Sequence, residues 1–148
     1  MLDLRTVFQR LKEQVEGYEY VGDALDLANV QKTQYLDKTA VYLEVKSIRA
    51  STDSDKQLVM LKGKTRQSVV MTFAVTIVAK NHRYQSAPIS SDLESVLPQI
   101  RQALIGWHPT LFATTSCQLL SGEMQCYNEQ LQIWQDVYQV GFAIGSNR

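Results

Sequence analysis

Arg66-Gln-Ser-Val-Val-Met-Thr-Phe-Ala-Val-Thr-Ile-Val-Ala79 decides the fold. Val69, Met71, Phe73, Val75 and Ile77 alternate onto one face, the two-residue period of a strand. Val70, Ala74 and Val78 leave the other face partly apolar as well. A strand apolar on both sides is central in its sheet or covered by a helix. The rest of the chain must therefore supply neighbours for it.

Upstream, Ala40 to Ile48 reads as a strand with Val41, Leu43 and Val45 on one face, and Ala24-Leu-Asp-Leu-Ala28 as a short strand candidate. Leu4, Val7, Phe8, Leu11 and Val15 follow the i, i+3, i+4, i+7, i+11 stripe of an amphipathic helix, which Gly17 ends. Between Arg49 and Gly63 the apolar pattern lapses into a long solvated connection or extended hairpin arm. This stretch carries Arg49, Lys56 and Lys62, with Lys64 and Arg66 just beyond. Such a cluster can contact phosphate or an acidic protein surface, and it equally suits a solvated loop whose charges deter edge aggregation.

Downstream, Asn81 to Pro88 is a polar link, and Ser91-Asp-Leu-Glu94 is a capping box opening a second helix. Leu93, Val96, Leu97, Ile100 and Leu104 repeat the first helix's stripe. Pro98 removes the bond to the Glu94 carbonyl, which predicts a kink; the unbroken stripe argues against an end. Leu104-Ile-Gly-Trp-His-Pro109 is the stop. Gly106 can take the left-handed cap conformation and Pro109 prevents resumption. Trp107 is placed to fold over the helix end and anchor it to the sheet, at about 3–5 kcal/mol if its ring is fully buried.

After Pro109 only strands follow. Ser116 to Tyr127 reads as a hairpin around Ser121-Gly122. Its register sets Cys117 opposite Cys126 and Leu119 opposite Met124, all on a core-facing side. A last strand runs from about Gln130 to Ile144, with Trp134, Tyr138, Val140, Phe142 and Ile144 on one side. The order gives an α+β fold, a mainly antiparallel sheet with two amphipathic helices packed on one face. A length of 148 residues without an internal linker fits one domain, 1–148.

Chemistry is sparse. With 45% apolar and 20% charged residues the composition is that of an ordinary globular chain. No apolar run is long enough for a membrane span, and Met1-Leu-Asp-Leu-Arg-Thr lacks the pattern of a signal peptide. Residues 1–85 carry 13 Lys/Arg against 10 Asp/Glu, and residues 86–148 carry 2 against 5. Halves of +3 and −3 are no nucleic-acid footprint, but they suit head-to-tail contact between copies. Two cysteines nine apart, with neither His82 nor His108 near them, make no metal site; the facing register allows a cross-strand disulfide, while a reducing cytoplasm favours buried thiols. Asp53 and Asp55 lack the rest of a calcium loop. No phosphate loop, nucleophile elbow or zinc motif occurs. The chain reads as a non-enzyme without a cofactor.

With this order of elements in place, the chain resembles the tail terminator proteins of long-tailed bacteriophages over nearly its full length. The resemblance is carried by the N-terminal helix, the strand pair around a charged loop, the Val69–Val78 strand and the final strand containing Trp134. Its most specific piece is Ala103-Leu-Ile-Gly-Trp-His-Pro109, with Gly106, Trp107 and Pro109 as turn residues. It implies a structural subunit that forms a ring, typically hexameric. Such a ring binds the last ring of the tail tube, stops polymerisation, and receives the head-completion or neck protein. In contractile tails it also meets the sheath. It further implies no catalytic residues, no membrane, DNA only in transit through the lumen, and a place in the virion at the head–tail junction after synthesis in the host cytoplasm. The basic arm would then serve protein contacts. On the residues alone, two other readings stand beside this one: a different neck or tail-completion subunit, and a small ligand-binding α+β domain or enzyme.

Overall fold

The computed structural model describes residues 3–16, 20–22, 39–50, 58–61, 64–80, 92–109, 113, 115–127 and 131–145. Its elements run α1 (Leu4–Gln14), β1 (Tyr20–Gly22), β2 (Ala40–Ala50), β3 (Leu58–Leu61), β4 (Lys64–Lys80), α2 (Asp92–Leu104), β5 (Gln118–Tyr127) and β6 (Leu131–Gly145). One sheet has the order β1-β2-β4-β6-β5, and β3 pairs with the beginning of β4 beside the end of β2. β1 and β2 are parallel; every other pair is antiparallel. The α+β class and mainly antiparallel sheet follow the sequence reading.

β4 is central because both of its faces are apolar. Val69, Met71, Phe73, Val75 and Ile77 are buried on one side, with Ala74 and Val78 buried on the other. Opposite Phe73 on β6 stands Tyr138, the two rings stacked with centroids 5.6 Å apart. Val7 and Leu11 of α1 and Leu93, Val96, Ile100 and Leu104 of α2 join this cluster, so both helices lie on the same face of the sheet. Burying such side chains is worth about 1.5–3 kcal/mol each.

The helices are tied to each other by polar contacts that periodicity does not reveal. Arg10 Nε of α1 donates to the Ala103 carbonyl at 3.0 Å, in the last turn of α2. That carbonyl is among those an α-helix leaves unsatisfied. The Gln99 amide of α2 grips Glu16, accepting from its N–H at 3.0 Å and donating to its carbonyl at 3.1 Å. α1 opens on Asp3, whose carboxylate accepts the Arg5 N–H. It closes where Val15 becomes extended. Pro98 lies inside α2, which continues through it to Leu104.

Three sequence readings need correction. Ser116–Tyr127 is no hairpin: Gln118–Tyr127 is one continuous strand along β6. Cys117 and Cys126 therefore lie at opposite ends of β5 rather than face to face, and Leu119 and Met124 pair with Tyr138 and Trp134 rather than with each other. Two neighbouring strands already give β6 its partners, so no turn is required at Gly122. The lapse after Arg49 is also shorter than its composition implies, since β2 runs on to Ala50 and Leu58–Leu61 forms β3. Gly17, the Ala24–Ala28 strand candidate, the Asn81–Pro88 link and Ser91 of the capping box lie outside the described residues, as do Asp53, Asp55 and His82.

Candidate functional site

The helix stop is a closed loop. Gly106 has φ +82°, the left-handed conformation that glycine adopts without the penalty of a Cβ. Its N–H donates to the Cys117 carbonyl at 2.8 Å, while the Cys117 N–H donates to the Trp107 carbonyl at 2.7 Å. The turn thus pins the end of α2 to the chain entering β5. Trp107 is half-buried against the core, and the Arg10 guanidinium lies 5.5 Å from its ring centroid. A cation over an aromatic face is worth about 0.5–1 kcal/mol at a partly exposed site. Trp107 therefore also links α1 to α2, and its ring is not fully buried. Pro109 is half-buried just beyond.

A second cluster lies under β5. Asp136 of β6 is 0% exposed on the helix-covered face of the sheet. Arg101 of α2 meets it with two parallel bonds of 2.9 Å, Nε to Oδ2 and Nη2 to Oδ1. Trp134 Nε1 donates to Oδ1 at 2.7 Å and Tyr138 OH donates to Oδ2 at 3.0 Å. Four donors satisfy the carboxylate, the condition for burying a charge. The hydrogen bonds that Arg101 donates to Asp136 raise the Arg101 pKa, and burial raises that of the Tyr138 phenol. Gly122 passes directly over this cluster. A Cβ there would overlap Asp136 Oδ1 and come within 2.8 Å of Arg101 Nη2 and 3.0 Å of Trp134 Cζ2. Sequence reasoning missed Asp136 and Arg101, and read Gly122 as part of a turn. A signal existed for Asp136, because the alternation Trp134, Tyr138, Val140, Phe142 places position 136 on the same buried face.

Three of the arm's five basic residues lie on described strands. Arg49 is exposed on β2 opposite Val70. Lys64 and Arg66 open β4, opposite Leu61 and Val59 of β3, and Arg66 also stands opposite Gly145 of β6. Lys56 and Lys62 lie outside the described residues. Cys117 is buried and its thiol is pushed up to about 12 by burial, so it stays protonated and inert at neutral pH. Among the described residues no three His, Cys, Asp or Glu side chains gather in a way that could hold a metal ion, and no helix is long and apolar enough to cross a membrane.

The geometry thus offers clamps, turns and sheet edges. The family model described as Phage tail terminator protein matches residues 1–148, the entire length. This chain belongs to the phage tail terminator family. No curated protein matches it. Membership in a structural family of the phage tail makes this terminator-family chain a virion component. The Gly106 turn and the Asp136 cluster then read as the framework that holds the terminator's surface in shape.

Proposed function

We propose that this chain closes into a hexameric ring on the last ring of a phage tail tube, ends tube polymerisation, and presents the surface on which the head-completion or neck protein docks. In a contractile tail the same ring meets the end of the sheath. The observation that carries this reading is the family match over residues 1–148. The opposite net charge of the two parts of the chain supports it, because a head-to-tail contact needs two different, complementary patches. The sheet face away from the helices supports it too. Thr72, Gln135 and Gln139 on that face are uncharged, and its charges are of both signs, Glu44 and Glu123 with Lys46 and Arg49, Lys46 being paired with Glu44 at 3.4 Å. Such a face suits a lumen, where tight phosphate binding would hold DNA in transit.

The basic residues Arg49, Lys56, Lys62, Lys64 and Arg66 serve protein contacts in this reading, with the tube, the neck or the next subunit. No step of catalysis and no cofactor is involved. The test is addition of purified chain to polymerising tube protein, with tube lengths measured by electron microscopy. Growth should stop, with density at one tube end. Tubes that reach the same lengths with and without the chain would overturn the proposal. Reversing charge at Lys62 and Lys64 should leave the circular dichroism spectrum unchanged and abolish capping; normal infectious particles from that variant would remove the arm from the mechanism.

A further inference from the structure

We propose that the two edges of the sheet are the two halves of one head-to-tail contact between copies of this chain. Met124, Glu123 and Leu120 of β5 seat against Val45, Ile48 and Arg49 of β2 in the next copy. This inference rests on the ring reading and gives it an address.

The edges are complementary in three respects. First, each is open: β5 ends the sheet on one side, and among the described residues β2 beyond Tyr42 has β4 on one side and no paired strand on the other. Second, each carries exposed large apolar side chains, Val45 and Ile48 on one and Leu120 and Met124 on the other, where a monomer gains nothing from them. Third, the charges oppose. Residues 45–66 carry six Lys/Arg against two Asp, whereas residues 117–129 carry Glu123 and Glu129 and no Lys or Arg.

The strand registers also align these features face for face. Val45 and Ile48 stand opposite Phe73 and Met71, on the helix-covered face, and Arg49 stands opposite Val70 on the other. Met124 stands opposite Trp134, on the helix-covered face, and Glu123 opposite Gln135 on the other. Two sheets laid edge to edge with faces matched would bring apolar to apolar on the helix side and Glu to Arg on the other. β5 has irregularities between Leu119 and Ser121 and between Met124 and Cys126. Such bulges interrupt the ladder that open-ended strand addition needs. The contact is thus made by side chains, and a heterologous contact of this kind closes a ring when its rotation permits.

The experiment uses tails purified from phage encoding the full chain with Cys126→Ser, Met124→Cys and Ile48→Cys, treated with a short bismaleimide and run under denaturing conditions. Cys117 is buried and out of the reagent's reach, so a ladder of multimers is expected from the chain with both introduced cysteines, and monomer alone from either chain with one introduced cysteine. Copies per tail are counted by quantitative mass spectrometry. Several copies per tail without a ladder, or a dimer from a chain with one introduced cysteine, would overturn the edge contact and leave the ring standing. One copy per tail would overturn the ring itself. If the cysteine chain does not enter tails, Glu123→Lys and Arg49→Glu decide. Each alone should lower completed tails about tenfold or more, since like charges now face each other, and the two together should restore them. No loss in the singles, or no recovery in the double, counts against the contact.

Discussion

Gly106 and Gly122 are the same residue doing opposite things. Gly106 is needed for its backbone: φ is +82°, and a Cβ there would meet nothing within 4 Å. Gly122 is needed for its emptiness: it sits mid-strand, and a Cβ would strike Asp136, Arg101 and Trp134. One requirement is local and the other is set by residues distant in the chain. A glycine is thus legible from its neighbours only when the demand on it is local.

The largest expected effect lies in the cluster beneath Gly122. Arg101→Met removes two donors from a carboxylate with no solvent contact. Breaking a buried pair costs about 3–5 kcal/mol. The Arg101 side chain is 34% exposed, so the lower end, about 3 kcal/mol, is expected in urea unfolding. A loss under about 1 kcal/mol would show that Asp136 finds other partners.

Next in size is the glycine above it. Gly122→Ala should destabilise by about 1–3 kcal/mol through overpacking. Local propensity alone gives the opposite sign, since alanine in a strand is better than glycine by about 0.5–1 kcal/mol. The sign of the change therefore separates the two explanations.

At Gly106 the expected loss is smaller. Gly106→Ala should cost about 1–2 kcal/mol for the left-handed backbone, and Gly106→Asn less, because asparagine tolerates that region. At Gly122 the larger asparagine should do worse than alanine. This reversal of order, read from thermal midpoints of four variants, is the sharpest form of the comparison.

The smallest effect is on pH. The Cys117 thiol is raised by burial from 9.0 to about 12 in the folded chain. Below pH 9 both states hold the proton and nothing changes. Between about 9 and 12 the unfolded chain releases it first, so stability falls as pH rises. Tyr138, raised in the same direction by burial, adds to the slope. Cys117→Ala should flatten the alkaline limb measured by denaturant midpoints.

These contrasts also show what the sequence could and could not disclose. β4, α1, α2 and β6 are legible because each is long and periodic, with one face paired to the core. Gly106 is legible because a glycine at the end of an apolar stripe followed by Pro109 has a local meaning. Ser121-Gly122 misled, because the pair has the composition of a turn while its cause lies in Arg101 and Asp136, 35 residues apart in the chain. β3 stayed hidden because Leu58–Leu61 is a four-residue strand amid charge. Arg10 and Gln99, which tie the helices together, bond to backbone groups 93 and 83 residues away, beyond any window of periodicity.

The proposed ending of tube growth by this chain is read from the distribution of tail lengths in phage that lack it, measured by negative-stain electron microscopy. The expected result is long tubes of variable length without heads, returned to a single length when the chain is supplied from a plasmid. Tails of uniform normal length joined to heads in its absence would contradict the claim.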